Sequence, residues 1–289
     1  MLGSYSVESG SLVFHAAYPL APGVSYRAVF RPPGGAPVER TFDAAAKDTA
    51  RRTRVERVYP TADVLPGNIL RLYIYFSAAM SRGEAARRIH VLDDTGKELQ
   101  GIFLPGQELW DPGYQRLTMT FDPGRIKRGL TSNMAMGSPI ADGKRYRLVI
   151  DGDWPDARGA GLVEGYTKSF RGGPPDREPP DPKRWRMTAP KAGTLAALTV
   201  EFSEAMNYPL LLRMLRVPNV EGAVDVDRQE TRWRFTPRAP WSAGEYQLLV
   251  DSGIEDLAGN HVGQPFDTDL QAGKTGAAPK TILMPFSVR

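Results

Sequence analysis

Pro240-Trp241-Ser242-Ala243-Gly244-Glu245-Tyr246 is a turn that delivers a tyrosine into a strand, and the chain contains it three times. The other copies are Pro139-Ile140-Ala141-Asp142-Gly143-Lys144-Arg145-Tyr146 and Pro19-Leu20-Ala21-Pro22-Gly23-Val24-Ser25-Tyr26, each one residue longer between Gly and Tyr. After Tyr246, Leu248 and Val250 alternate with Gln247 and Leu249; after Tyr146, Leu148 and Ile150 alternate with Arg147 and Val149. A two-residue period marks a strand with one buried face. A tyrosine at such a corner puts its ring in the core of a β-sandwich and its hydroxyl back onto the backbone. That is a structural use of tyrosine, and nothing beside these residues suggests catalysis.

More of the unit repeats around the turn. Phe14 precedes Pro19 by the spacing at which Phe235 precedes Pro240, and Phe121-Asp122-Pro123 matches Phe235-Thr236-Pro237, with Gly124 to Ser138 inserted. Downstream, Asp151 to Tyr166 aligns with Asp251 to Phe266 without a gap. Leu70, Leu72, Ile74 and Phe76 alternate with polar or amphipathic residues and run into Phe76-Ser77-Ala78-Ala79-Met80; Leu198, Val200 and Phe202 run into Phe202-Ser203-Glu204-Ala205-Met206. A short helix is expected after each: Ser81 and Glu84 have capping-box spacing, and Asn207 is a good N-cap before Pro209. Units of this kind, rich in short strands, read as Greek-key sandwiches.

Together with Trp233-Arg234-Phe235-Thr236-Pro237, Gly244-Glu245-Tyr246 and Ile254-Glu255-Asp256-Leu257-Ala258-Gly259-Asn260, these motifs resemble the bacterial Ig-like domain family of the S-layer SbsA type. The resemblance covers residues 183–271 most fully. It is looser over 54–172, where Ala78 replaces the acidic residue and Arg158 and Ala160 break the Leu-Ala-Gly-Asn pattern. It implies a sandwich used as a repeating module of exported surface proteins, and it implies no enzyme activity.

The expected fold is therefore all-β: tandem Ig-like or fibronectin-III-like Greek-key sandwiches joined by a Pro-rich linker. Residues 1–46 read as the C-terminal half of an Ig-like domain, 54–172 as an Ig-like domain with two inserted loops, and 183–271 as another. Residues 272–289 read as a tail in which Thr281 to Arg289 is either a last strand or a loose end. Gly172 to Pro182 holds five prolines; such a segment favours extended polyproline II and is expected to hold its neighbours apart. The first unit has no Phe-Ser-x-x-Met opening and begins near the strand carrying Leu12 and Phe14. The expectation is that the missing strands, and an export signal, precede Met1 in the native chain.

Composition agrees and excludes several classes. Hydrophobic residues at 41% and charged residues at 24% are ordinary for a folded globular chain. The net charge of +4 is scattered in small groups, such as Arg51, Arg52 and Arg54 or Lys183, Arg184 and Arg186, rather than gathered on one basic face with aromatics, which argues against a nucleic-acid partner. The absence of cysteine excludes disulfides and thiolate sites, and no apolar run is long enough to span a bilayer.

Catalytic motifs are missing: there is no Gly-x-Ser-x-Gly, no His-Glu-x-x-His and no dinucleotide loop. Gly273-Lys274-Thr275 lacks the earlier glycine of a phosphate loop. His15, His90 and His261 fall in separate units. No catalytic, cofactor or metal residue is assigned and no cofactor is expected. Three features remain open. The aligned loops Asp151–Asp156 and Asp251–Asn260 carry oxygen ligands that suit Ca²⁺ but equally suit plain Asx-turns. Trp110, in the loop Asp93–Gly113, and Tyr114 directly after it, with Trp154 and Trp185, could stack on sugar rings or anchor loops to the sandwich. The insertion Gly124–Ser138 carries Arg125, Lys127, Arg128, Met134 and Met136, and insertions on a scaffold often bear function. The expected role is a non-catalytic structural or adhesive module of an exported bacterial surface or periplasmic protein, elongated and monomeric or part of a longer chain. The alternatives are a glycan- or protein-binding module using the middle-domain loops, or a calcium-stiffened spacer.

Overall fold

A computed structural model describes residues 3–16, 20, 23–44, 50–106, 108–267 and 279–289. Pro19, Ala21 and Pro22 of the first turn, part of the linker after Asp43, and Gly273-Lys274-Thr275 lie outside the described residues.

The chain begins with two hairpins. β1 (Gly3–Glu8) pairs with β2 (Ser11–Ala16), and β3 (Ser25–Phe30) pairs with β4 (Val38–Asp43), each hairpin forming its own two-stranded sheet. The strand β1 ahead of Leu12 and Phe14 was not expected. Its Tyr5 and Val7 alternate with three Ser and Glu residues, a run too short to stand out.

The next segment supplies β5 (Val55–Tyr59), β6 (Val64–Pro66), β7 (Arg71–Phe76), helix α1 (Ala85–Arg88), β8 (Ile89–Asp93), β9 (Leu109–Trp110), β10 (Arg116–Thr120), helices α2 (Pro123–Ile126) and α3 (Thr131–Met136), β11 (Arg145–Ile150) and β12 (Tyr166–Gly173). They form two facing sheets ordered β5-β7-β10-β9 and β6-β12-β11-β8 around one core, in which Leu72, Ile74, Leu117, Phe121, Leu148, Ile150 and Trp154 are buried. The last segment supplies β13 (Arg186–Thr188), β14 (Leu198–Glu201), α4 (Tyr208–Met214), β15 (Leu215–Arg216), β16 (Gly222–Asp227), β17 (Arg232–Pro237), β18 (Gly244–Asp251) and β19 (Thr281–Val288). Its sheets run β13-β14-β17-β16 and β15-β18-β19 over a second core built on Leu198, Val200, Trp233, Leu248 and Val250. Thr281–Val288 pairs with Gly244–Asp251 over its whole length.

The tyrosine corners sit as the turns require. Tyr246 stands opposite Phe286 and donates its hydroxyl to the Ser242 carbonyl at 3.1 Å; Tyr146 stands opposite Phe170 and accepts from the Ala141 amide at 2.9 Å. The helix caps depart from expectation. Ser81 Oγ donates to the Asp156 carbonyl instead of capping, and the free amides of Gly83 and Ala85 are taken by the Glu108 carboxylate, each at 2.7 Å. Asn207 does precede α4, but its side-chain amide donates to Tyr73 Oη at 2.9 Å.

That last bond marks the main correction. The Pro-rich segment does not hold the sandwiches apart: they touch along a polar and aromatic junction. Tyr59 stacks on Tyr208 with ring centroids 3.5 Å apart, and Tyr75 meets both edge-on. Glu230, at the tip of the β16–β17 turn and buried, accepts from the Thr61 amide at 2.8 Å and its hydroxyl at 2.6 Å. Arg71 pairs with Glu255, and the Leu70 amide donates to the Leu257 carbonyl at 2.9 Å. The linker is tied down rather than free. The Asp176 amide donates to Asn68 Oδ1 at 2.8 Å, and its carbonyl accepts from the side-chain amides of Asn68 and Asn260.

Candidate functional site

The two acidic loops occupy corresponding corners of their sandwiches, each bridged to the methionine of its opening motif, Met80 to Asp156 and Met206 to Asp256. Their chemistry differs. Asp156 is buried with both carboxylate oxygens engaged: Oδ1 accepts from the Arg158 and Ala160 amides at 2.8 and 3.1 Å, and Oδ2 accepts from Thr53 Oγ1 at 2.8 Å and Arg158 Nη2 at 2.9 Å. Burial works against its charge, but the Arg158 and Thr53 bonds outweigh it and hold the carboxyl below the ordinary range. In the same loop Asp153 pairs with Arg51, and Asp151 lies near Arg88 and His90. This loop is a satisfied turn.

Asp256 makes the same turn, with Oδ1 accepting from the Ala258 and Asn260 amides at 2.7 and 3.0 Å and Oδ2 from Asn260 Nδ2 at 2.7 Å. Where the first loop has Arg158, this one has Ala258. In place of a cation it meets two more acids. Asp176 of the linker and Glu204 of Phe202-Ser203-Glu204-Ala205-Met206 bring carboxylate oxygens within 4.8 Å of those of Asp256 and of each other. Burial, reinforced by the charge of Asp176, pushes Asp256 up to about 7. Burial and the charges of Asp176 and Asp256 raise Glu204 as well, with Arg184 opposing. With Asp256 and Glu204 both raised by burial and by their acidic neighbours, the cluster favours a bound proton or a cation over full ionisation. Among the described residues this is the one group of three acidic, His or Cys side chains close enough to hold a metal ion.

Half of this site was legible. Asp256 stands in a loop singled out by its oxygens, and the replacement of Glu204 by Ala78 in the other opening motif was visible. Asp176 was missed because it stands among prolines that read as spacer, and only the clamp by Asn68 and Asn260 turns it inward. The site borders the junction: Asp256 lines a cavity with room for about one water molecule, together with Tyr59, Leu70, Tyr73, Asn207 and Leu257.

The remaining candidates resolve into scaffold. Trp154 and Trp185 are buried, not displayed. Trp110 is half-buried against Phe76 and Trp154 and donates its Nε1 to Glu108 at 2.9 Å, so it anchors its loop. Tyr114 is partly exposed and lies under Arg82. In the insertion, Arg125 is buried and donates to the carbonyls of Gly137, Gln100, Gly101 and Met136 at 3.2 to 3.5 Å. Arg128 reaches Asp267 at 2.9 Å and Lys127 stands 4.4 Å over the Phe266 ring, so the insertion clasps the second sandwich; Met134 and Met136 remain exposed. His15 bonds Ser6 and Glu8, His90 meets Glu98 and Asp151, and His261 closes a bridge with Glu255; they are not brought together.

No family model matches the chain, and no curated protein matches it. Among solved structures it is similar to Escherichia coli alpha-2-macroglobulin domains MG0-NIE-MG1, at 12% identity and a TM-score of 0.27, over 82% of this chain and 71% of that one. The S-layer protein SbsC matches at 11% identity and 0.29, over 82% of this chain and 41% of that one. A Bacteroides ovatus protein, SGBP-B, solved in complex with a mixed-linkage heptasaccharide, matches at 11% and 0.22, over 89% and 54%. Likeness at this level transfers no ligand or role.

Proposed function

We propose that this chain is a non-catalytic structural or adhesive module of an exported bacterial surface or periplasmic protein, built from tandem Ig-like units. The observation that carries this reading is the junction. Its Tyr59–Tyr208 stack, Arg71–Glu255 pair and buried Glu230 spend polar and aromatic side chains on fixing one sandwich against the other, as a load-transmitting arm requires. Buried charges are costly unless paired, and here the pairing serves orientation. Two measurements test the reading. Fractionation of the source bacterium places the protein outside the cytoplasm; recovery from the cytosol overturns the location. Small-angle scattering distinguishes one fixed arrangement from a hinge. A full chain with a single narrow distribution of dimensions that broadens in Arg71→Ala combined with Glu230→Ala supports the rigid arm. A full chain already as broad as that variant overturns it.

A second reading, a calcium-stiffened spacer, is favoured by one observation, the convergence of Asp176, Glu204 and Asp256 beside the junction. Calcium prefers six to eight oxygen ligands, many of them carboxylates. Calorimetry with Ca²⁺ on the full chain decides it: heat of binding that disappears in Glu204→Gln supports the spacer, and no heat or melting shift at millimolar ion removes it.

A further inference from the structure

We propose that the outer face of the sheet β6-β12-β11-β8 binds an acidic glycan, whose carboxylate or sulfate groups are held by Arg145, Arg147 and Arg171. The chain's own units supply the comparison. Tyr146 stands opposite Phe170 as Tyr26 stands opposite Phe42 and Tyr246 opposite Phe286, which fixes a common register for β11–β12, β3–β4 and β18–β19. The rung just before each tyrosine then pairs Ser25 with Asp43, Glu245 with Ser287, and Arg145 with Arg171.

In two of the units that rung satisfies itself. Ser25 Oγ donates to the Asp43 carboxylate, and Ser287 Oγ lies 2.7 and 2.8 Å from the two Glu245 carboxylate oxygens. The middle unit sets guanidinium against guanidinium, and like charges directly opposite across a strand pair are destabilising. The next outward position repeats the change. Arg27 pairs with Glu39 at 3.6 Å, whereas Arg147 finds Thr167 in the place of Glu39. Arg145, Arg147 and Arg171 are all exposed, and among the described residues their side chains have no hydrogen-bond or ion-pair partner.

Arg145 and Arg147 alternate with the buried Tyr146 and Leu148, and Arg171 and Ser169 lie opposite them on the same outward face. With Asp63 and Asp94 they line a groove of about 510 Å³, a size that suits a ligand site. A guanidinium grips a carboxylate or sulfate through two parallel hydrogen bonds, and here two guanidinium groups face one another across the strands. The acids select the rest of the ligand. Asp63 is taken by Gln229 and Asp93 by the Thr95 and Lys97 amides, while Asp94 stands exposed and unbonded among the described residues. A carboxylate only accepts, so it takes sugar hydroxyls and repels a phosphate chain. Anionic groups flanked by hydroxyls describe an acidic sugar rather than a nucleic acid. This site goes beyond the reading based on the junction and stands without it.

Calorimetry of the full chain with an oligogalacturonate and with a heparin-derived oligosaccharide tests the site and separates carboxylate from sulfate recognition. A neutral cello-oligosaccharide and single-stranded DNA are the comparisons. The main variant, Arg145→Glu combined with Arg171→Ser, installs the rung that the last sandwich already carries. Arg147→Gln, copying Gln247, is the second variant and decides alone if the first melts early. Expected is heat with at least one acidic probe, none with the neutral sugar, and an affinity about tenfold lower in each variant. The melting temperature of the main variant should not fall, because a like-charge pair has been replaced by a bonded one. Arg213→Glu combined with Arg216→Ser makes the same change of charge on the last sandwich and should bind as the parent does. No heat with either acidic probe, neutral sugar or DNA bound as tightly, unchanged affinity in the variants, or an equal loss in the charge control would overturn the proposal.

Discussion

Asp156 and Asp256 stand at the same position of the same turn, yet Arg158 and Thr53 keep the first ionised while Asp176 and Glu204 crowd the second. Substitutions should therefore act in opposite directions. Asp156→Asn removes a buried acceptor of charge-assisted bonds and is expected to cost ~1–3 kcal/mol in denaturant unfolding. Glu204→Gln removes a like charge and is expected to raise the melting temperature at pH 8; a fall there would contradict the crowding. Gly259 is the other decisive residue. Its φ of +84° suits glycine, and a Cβ would run into Leu70 of the facing sandwich. Gly259→Ala should destabilise by ~1–3 kcal/mol through both effects.

At the scale of elements, β7 shows how packing overrides pattern. Its alternation assigns Leu72, Ile74 and Phe76 to the core and leaves Tyr73 outward; Tyr73 is nevertheless buried, because the second sandwich covers that face and Asn207 bonds its hydroxyl. The short strand β9 depends on one side chain. Trp110 closes it over Phe76 and Trp154, so Trp110→Ala should lower stability by ~2–4 kcal/mol. That loss should appear in thermal unfolding whether or not any ligand is present, which separates an anchor from a sugar-stacking platform.

For the whole molecule, the junction couples two cores that would otherwise unfold separately. Differential scanning calorimetry of the full chain should show both sandwiches melting in one transition, and Arg71→Ala combined with Glu230→Ala should split it. The acidic site adds a pH dependence. Because Asp256 is raised in the folded state, its contribution is fully present below the unfolded carboxylate range and is lost as pH rises through about 7. The melting temperature should therefore fall between pH 5 and pH 8 without divalent cation. Asp156, depressed in the fold, works the other way only at lower pH.

The β-sandwich class, the tyrosine corners and the buried positions of β14 and β18 are local: a two-residue period and a Pro/Gly turn act within a few residues, so the amino-acid order determined them unaided. The helix caps, the burial of Tyr73, the inward turn of Asp176 and the docking of the sandwiches depend on partners more than a hundred residues away in several cases, such as Glu230 with Thr61. No pattern within a window carries such a pairing, because which solvated face meets another is settled only when both sandwiches have formed. The turn that opens at Pro240 specifies a module; the three-dimensional arrangement decides what that module is braced against.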